Sequence, residues 1–265
     1  MDFEFGETQE SKAFFDRNPK FMPMFVSLIE LANKYFGRRP QPKNQLEDIC
    51  FGLGHASRQD FLEVVFLAVN GYGDGSLKLT RGLYERSVTL AYLVQNPTKV
   101  ERFIRYAAVQ EHRSMEAALK VVTSDEFDAL MGAPNTVAEI RNRYQEARPD
   151  FEIDVCKACG TKRVQPSWDL DVSAMVHKLD KLYRAFYLPN YAIPNLAIHA
   201  TLSSATLKEG TAQVHPEADL HALCASFLMV LVIRSQEAVF RLGLEKEIEA
   251  CERDVQNLRP QGDEV

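Results

Sequence analysis

The chain of 265 residues has little cysteine, no excess of basic residues and no long apolar run. Five cysteines, an odd number with three of them scattered, argue against a disulfide framework. A net charge of -6 excludes a general basic surface for nucleic acid, although it is compatible with a local patch. The longest apolar run, residues 222–233, is interrupted by Ser226 and is too short to span a bilayer.

The first residues, Met1-Asp2-Phe3-Glu4, are acidic and lack the basic and apolar regions of a signal peptide. Together with the scattered cysteines, this start predicts a cytoplasmic protein that does not associate with a membrane.

Apolar residues recur at three- and four-residue spacing through most of the chain, and strict alternation is nearly absent, which predicts an all-α fold. The predicted helices span residues 10–36 with an interruption at Pro19, then 46–53, 59–70, 77–95, 98–122, a short helix from 124, 135–148, 169–186, 193–207 and 216–251. We predict one helical-bundle domain over residues 1–265. It comprises an N-terminal helical segment (1–42), a small irregular insertion with the Cys-x-x-Cys motif (150–168) and a polar tail (252–265).

The insertion carries two cysteines in a glycine turn, Cys156-Lys157-Ala158-Cys159-Gly160. Such a turn holds two thiolates at metal-ligand distance, but structural zinc needs four ligands and no second pair follows at ribbon spacing. Cys50 and His55 would complete a closed Cys3His structural zinc site. The alternative is a reduced cysteine pair, and a thioredoxin-like role lacks the βαβ context that it needs.

Two charged residues, Arg81 and Glu85, fall on or beside the apolar stripe of the helix predicted over residues 77–95. Charges on an inward face need partners, so these residues form either a structural ion pair or a polar cluster that receives a histidine. We expect His199, early in an apolar helix, to be that histidine and to act as general acid or base. The alternative for His199 is a hydrogen-bonded core residue.

Arg105 and His112 stand seven positions apart, two turns along one helical face, so both can address one phosphate. Arginine would hold the phosphate by bidentate hydrogen bonds and histidine would move the proton. The alternative is a solvated helical face, because Glu101, Glu111 and Glu116 surround the pair.

One set of residues resembles a known family in its order along the chain. The set comprises Leu79-Thr80-Arg81-Gly82-Leu83-Tyr84-Glu85, Tyr92-Leu93, Pro97, Phe103, Tyr106, the turn at 156–160, Trp168, Tyr187, Tyr191 and His199. It resembles an uncharacterised bacterial family defined by a domain of unknown function, number 5677, over residues 59–205. The resemblance implies an all-α fold with Arg81, Glu85, Trp168, Tyr191 and His199 at recurring positions, and it implies no established activity.

Helical proteins of this kind are also similar to the HEPN superfamily, many of whose members are ribonucleases in toxin or phage-defence systems. Their hallmark is an arginine, four to six residues and a histidine. Arg105 and His112 satisfy this spacing, with Tyr106 where a polar residue is usual. The similarity implies a site at a dimer face and therefore a homodimer.

The resulting hypothesis is a metal-independent ribonuclease of bacterial stress or phage defence that acts on RNA. Arg105 would bind the scissile phosphate and His112 would act as base or acid, or Arg81, Glu85 and His199 would form the active cluster instead, with Tyr191 contacting substrate. The rival hypothesis is a non-catalytic helical interaction or sensor module. In that case Arg81, Glu85 and His199 form a buried polar lock, and the cysteine turn binds structural zinc or a partner protein.

Overall fold

The structure is a computed structural model that describes residues 8–37, 41–156, 159–198 and 215–258. These residues are mainly helical, which confirms the predicted all-α class. They divide into two compact units: unit 1 comprises residues 1–95 and 172–265, and unit 2 comprises residues 96–171. The single domain expected over residues 1–265 stays a prediction.

Helices account for nearly all of the described elements, and one pair of short strands interrupts them. In chain order the elements are α1 (Thr8–Arg17), α2 (Phe21–Phe36), α3 (Gln45–Val69), α4 (Gly73–Gln95), a 3₁₀ turn (Pro97–Lys99), α5 (Val100–Ala118), α6 (Ser124–Met131), α7 (Val137–Ala147), a second 3₁₀ turn (Arg148–Phe151), β1 (Glu152–Cys156), β2 (Thr161–Val164), α8 (Val172–Val176), α9 (Lys181–Ala185), a π-helical turn (Leu188–Ala192), α10 (Ile193–Ile198), α11 (His215–Phe240) and α12 (Glu245–Gln256).

The core of unit 1 is formed by α3, α4 and α11, which pack against one another. Helix α11 is apolar around most of its circumference, and its buried residues include Ala222, Ala225, Leu228, Val232 and Ile233. Its segment Ala218–Phe240 is long and apolar enough to cross a membrane, but 72% of that window is buried inside the fold. This burial is typical of the central helix of a packed domain.

Helix α3 runs unbroken through residues 45–69, so the prediction of two separate helices at 46–53 and 59–70 was wrong. Asn44 caps its start by accepting a 2.9 Å hydrogen bond from the amide of Glu47. Gly54 does not end the helix. A Cβ at this position would lie 2.4 Å from Gln236 Nε2 and 2.7 Å from Phe36 Cε1, so this glycine permits close packing.

Two other predicted helices are divided in the structure. The helix expected over residues 169–186 is two short helices, α8 and α9, and Asp180 caps the second by accepting a 2.8 Å hydrogen bond from the amide of Leu182. The helix expected over 216–251 is divided between α11 and α12 by a turn in which Arg241 has φ 50° and Gly243 has φ 75°. Positive φ angles are incompatible with a continuing α-helix.

Unit 2 packs α5, α6 and α7 around Met115, Phe127, Val137 and Ile140. Capping boxes at Thr123 and Thr136 begin α6 and α7. The insertion predicted to be irregular over residues 150–168 contains an antiparallel hairpin of β1 and β2, so that prediction was wrong. Each strand is short and largely exposed, which explains why no alternating pattern marks it in the sequence.

Candidate functional site

Two segments of unit 1 bring together a group of charged and aromatic side chains, which we call the α4 cluster: Arg81, Tyr84, Glu85, Tyr187 and Tyr191. Arg81 Nε donates a 3.0 Å hydrogen bond to Glu85 Oε1, one turn further along α4. The guanidinium carbon of Arg81 also lies 5.3 Å from the centroid of the Tyr191 ring. The side chains of Arg81 and Glu85 are 28% and 36% exposed, so both remain accessible from solvent.

The three tyrosine rings of the α4 cluster contact one another. The ring centroids of Tyr187 and Tyr191 are 5.2 Å apart, and the centroid of Tyr84 lies 6.3 Å and 6.1 Å from them. Tyr84 is fully buried, whereas Tyr187 and Tyr191 are half-buried. The π-helical turn at Leu188–Ala192 holds Tyr191 against α4, and such turns are frequent at functional sites.

The electrostatics of the α4 cluster determine which groups can donate a hydrogen bond. Burial raises the pKa of Tyr191, the nearby Glu85 carboxylate raises it further, and Arg81 opposes both effects. The net shift is upward, so the phenol stays protonated at neutral pH and can donate a hydrogen bond. The guanidinium of Arg81 presents donors in a planar fork suited to phosphate.

The sequence predicted a second catalytic cluster of Arg81, Glu85 and His199, with Tyr191 contacting substrate. Three of these four residues, Arg81, Glu85 and Tyr191, lie together in the structure. The fourth, His199, lies outside the described residues. Sequence reasoning did not predict that the ring of Tyr84 would contact the rings of Tyr187 and Tyr191. The four-residue spacing of these two tyrosines was the available signal, because it places both rings on one helical face.

The other predicted catalytic pair lies in unit 2, beside a cleft of about 330 Å³ between α5 and α7. The cleft is lined by Ile104, Arg105, Ala107, Ala108, Glu111, Arg143, Glu146 and Ala147. Arg105 forms a 2.7 Å ion pair with Asp150 and donates a 3.2 Å hydrogen bond to the carbonyl of Glu146. Arg143 pairs with Glu111 at 2.8 Å. Both arginines therefore already have acidic partners.

His112 lies on the side of α5 that faces α7. Its ring stacks on Tyr144 with a centroid separation of 3.8 Å, and its Nε2 is 3.7 Å from Glu116. Burial lowers the pKa of His112, Glu116 acts in the opposite direction, and Arg141 lowers it further. The imidazole is therefore neutral at neutral pH, and one of its faces is covered by Tyr144.

The four predicted zinc ligands lie in different surroundings. Cys50 is buried in α3, and burial raises the pKa of its thiol to about 12. His55 is exposed, with its ring 6.0 Å from that of Phe51. Cys156 is half-buried and Cys159 is exposed. The structure describes all four of these residues. Among the residues that it describes, no three or more His, Cys, Asp or Glu side chains are grouped so that they could bind a metal ion. The Cys3His zinc site stays a prediction.

A second and larger cleft, of about 550 Å³, lies at the turn between α11 and α12. It is lined by Arg234, Glu237, Ala238, Arg241, Gly243, Glu245, Ile248 and Glu249. None of the predicted site residues borders it. The carboxylate of Glu237 accepts hydrogen bonds from the amide of Gly243 at 2.7 Å and from the hydroxyl of Tyr35, so it stabilises the turn.

Comparison with known proteins identifies the family. No curated protein and no solved structure matches the chain. One family model, described as a family of unknown function (DUF5677), matches residues 47–211, which is more than half of the chain. The matched stretch includes the whole α4 cluster and unit 2, and it confirms the resemblance noted in the sequence. The chain therefore belongs to this family of unknown function, DUF5677.

Proposed function

We propose that the chain is a metal-independent, cytoplasmic ribonuclease of bacterial stress or phage defence, and that the α4 cluster contacts the RNA. The observation that carries this proposal is the convergence of Arg81, Glu85 and Tyr191 from two distant parts of the sequence. The three side chains are partly exposed and differ in chemistry, so together they supply a cation, a carboxylate and a phenol at one place.

The partly exposed members of the α4 cluster suit the steps of RNA cleavage. Arg81 would hold the scissile phosphate, and the partly exposed rings of Tyr187 and Tyr191 would stack on bases. Glu85 would take the proton of the 2′-hydroxyl as its oxygen attacks phosphorus. Tyr191 would donate a proton towards the departing 5′-oxygen, because its raised pKa keeps it protonated. His199 is proposed on sequence grounds as an additional acid or base.

The α4 cluster is favoured over the α5–α7 cleft because two partly exposed tyrosine rings, Tyr187 and Tyr191, lie in it with Arg81. In the cleft the ring of Tyr144 is stacked against His112. Arg105 and His112 remain the alternative nuclease site, since a neutral imidazole can act as a base.

The rival proposal is a non-catalytic helical interaction module that associates with a second copy of the chain. The observation that favours it is a set of exposed apolar side chains next to Tyr191: Leu188 at 62% exposure, Ile193 at 44% and Ile198 at 41%. Tyrosine and arginine flanked by apolar residues are typical of the centres of protein interfaces. Structural zinc at Cys156 and Cys159 belongs to this second proposal.

The test is cleavage of labelled RNA by the purified protein in EDTA. We expect the wild type to cut, and we expect Glu85→Gln and Tyr191→Phe each to slow cutting by about 100-fold or more, as the loss of an acid or base does. Arg105→Ala and His112→Ala should retain activity. Lys12→Ala is the matched control, because it removes another ion pair of the same four-residue spacing, and it should cut like the wild type.

Other outcomes of this experiment discriminate between the alternatives. Loss of cutting in His112→Ala alone would move the site to the α5–α7 cleft. No cutting by folded wild-type protein would contradict the nuclease. The module would then be tested by sedimentation, in which Leu188→Asp should convert a dimer to a monomer while the helical content is unchanged.

Metal analysis of protein purified without chelator tests the proposed structural zinc, and less than about a tenth of an equivalent of zinc would contradict it.

A further inference from the structure

The hairpin of unit 2 carries two free thiols in one turn. Cys156 ends β1, and Cys159 lies just before β2. Cys159 is exposed and Cys156 is half-buried, whereas Cys50, Cys224 and Cys251 are all buried. The turn therefore holds the two cysteines of this chain that are accessible to a reagent in solution.

Both cysteines lie beside Thr161 at the start of β2. Cys156 pairs with Thr161 across a bulge in the ladder, and the amide of Gly160 donates a 3.0 Å hydrogen bond to the carbonyl of Cys156. Gly160 adopts φ 68°, a left-handed conformation that suits glycine and lets the chain reverse at this point. The sulfur of Cys159 lies 2.9 Å from the hydroxyl oxygen of Thr161.

The two thiols of the turn differ from the other cysteines in their exposure. Cys159 is exposed and Cys156 is half-buried, whereas Cys224 is buried, which raises its pKa to about 11. Cys159 is therefore the thiol that an oxidant in solution reaches first.

We propose that Cys156 and Cys159 are a site of reversible oxidation that forms an intramolecular disulfide, with a low-molecular-weight disulfide such as oxidised glutathione as the oxidant. The Cys159 thiolate attacks one sulfur of that disulfide, forms a mixed disulfide and releases one thiolate. The Cys156 thiol then loses its proton and attacks Cys159 Sγ, which releases the second small thiol. Two protein thiols are oxidised to one disulfide, and one small disulfide is reduced to two thiols.

The residues that follow β2 are hydrogen-bonded to α5, and this connects the cysteine turn to a helix of unit 2. Strand β2 leads directly into Gln165 and Pro166, whose carbonyls accept hydrogen bonds from Arg113 on α5 at 2.7 Å and 3.0 Å. The hydroxyl of Tyr106 also donates to the carbonyl of Pro166, at 2.5 Å. A disulfide that tightens the turn therefore acts on a strand that is fastened to α5. This inference does not depend on the proposed ribonuclease activity.

The test is incubation of the native protein with oxidised glutathione, followed by peptide mass spectrometry. We expect a Cys156–Cys159 disulfide in the wild type and a stable glutathione adduct on Cys159 in Cys156→Ser. Cys159→Ser should give neither product at this turn. Cys224→Ser, which changes a buried thiol, is the matched control and should behave like the wild type.

Three results would overturn the inference. They are a wild type that does not react, a wild-type adduct on Cys159 that is never resolved, and disulfide-linked dimers in place of the intramolecular bond. Circular dichroism of each variant verifies that the fold is retained, so that a change in product can be attributed to the thiols.

Discussion

The hydroxyl of Tyr84 donates a 2.6 Å hydrogen bond to the backbone carbonyl of Tyr183, and thereby fastens α9 to the middle of α4. Tyr84 is fully buried, so without this hydroxyl the carbonyl would lose a partner where water has little access. We expect Tyr84→Phe to lower the free energy of unfolding by about 1–2 kcal/mol. Urea denaturation followed by circular dichroism measures this change. Tyr72→Phe, at an exposed tyrosine, should change it little, and equal effects of both would contradict the assignment.

Two glycines of α3 should respond oppositely to the same substitution. At Gly54 an added Cβ would lie 2.4 Å from Gln236 Nε2 and 2.7 Å from Phe36, so Gly54→Ala should destabilise the protein by about 1–3 kcal/mol. At Gly52 nothing lies within 4 Å, so Gly52→Ala should stabilise the helix by about 0.5–1 kcal/mol. Thermal denaturation of both variants is the measurement. Two shifts of the same sign would show that the packing around Gly54 is not as close as described.

The carboxylate of Glu237 makes stability depend on pH. Burial on its own would raise the pKa of Glu237, but hydrogen bonds from Tyr35 and from the amides of Gly243, Leu244 and Leu242 outweigh it and lower that pKa below its usual value of 4.5. A lowered pKa contributes stability above the unfolded-state pKa, and this contribution is lost as the pH falls through the folded-state pKa. We expect stability to decrease on acidification below about pH 4.5.

Glu237→Gln tests this account. The amide cannot carry the charge that strengthens these hydrogen bonds, so the variant should be less stable at pH 7 by about 1–3 kcal/mol. Its stability should also change less than that of the wild type between pH 6 and pH 3, as measured by urea denaturation across that range. A variant with an unchanged acid profile would contradict the role given to Glu237.

Arg102 joins three parts of unit 2. Its Nε donates a 2.6 Å hydrogen bond to the carbonyl of Trp168, its Nη1 donates a 2.9 Å bond to the carbonyl of Asp150, and its guanidinium lies 4.6 Å from the ring centroid of Phe151. Lysine cannot reproduce this forked geometry. We expect Arg102→Lys to cost about 1–2 kcal/mol in chemical denaturation. Lys99→Arg, which keeps the charge near Asp169, is the comparison variant and should cost less.

The sequence pattern predicted the helical class well, because helices that bury one face leave a three- and four-residue period. It failed where local signals and packing disagree. The pattern ended one helix at residue 53, whereas α3 continues through Gly54, which Phe36 and Gln236 approach closely. The turn at Arg241 and Gly243 was missed, because the apolar period continues into α12 and the carboxylate that stabilises the turn, Glu237, lies on the preceding helix. The exposed hairpin strands carry no apolar alternation to detect.

The candidate site was predictable in part. Arg81 and Glu85 stand four positions apart on one helix, so their ion pair follows from helical geometry alone. The contact of Tyr191 with Arg81 depends on how the π-helical turn packs on α4, and no local spacing encodes it. No sequence spacing indicated the acidic partner of Arg105 either. Asp150 lies beyond α7 in the sequence and approaches Arg105 only through the fold of unit 2.

Trp168, the single tryptophan of the chain, lies in unit 2, where it is 7% exposed and its ring centroid is 5.1 Å from that of Phe103. Its emission is therefore an optical reporter of residues 96–171, whereas far-ultraviolet circular dichroism sums the helices of both units. Coincident transitions by the two probes would mean that the units unfold together. Separate transitions would give the stability of each unit from one unlabelled sample.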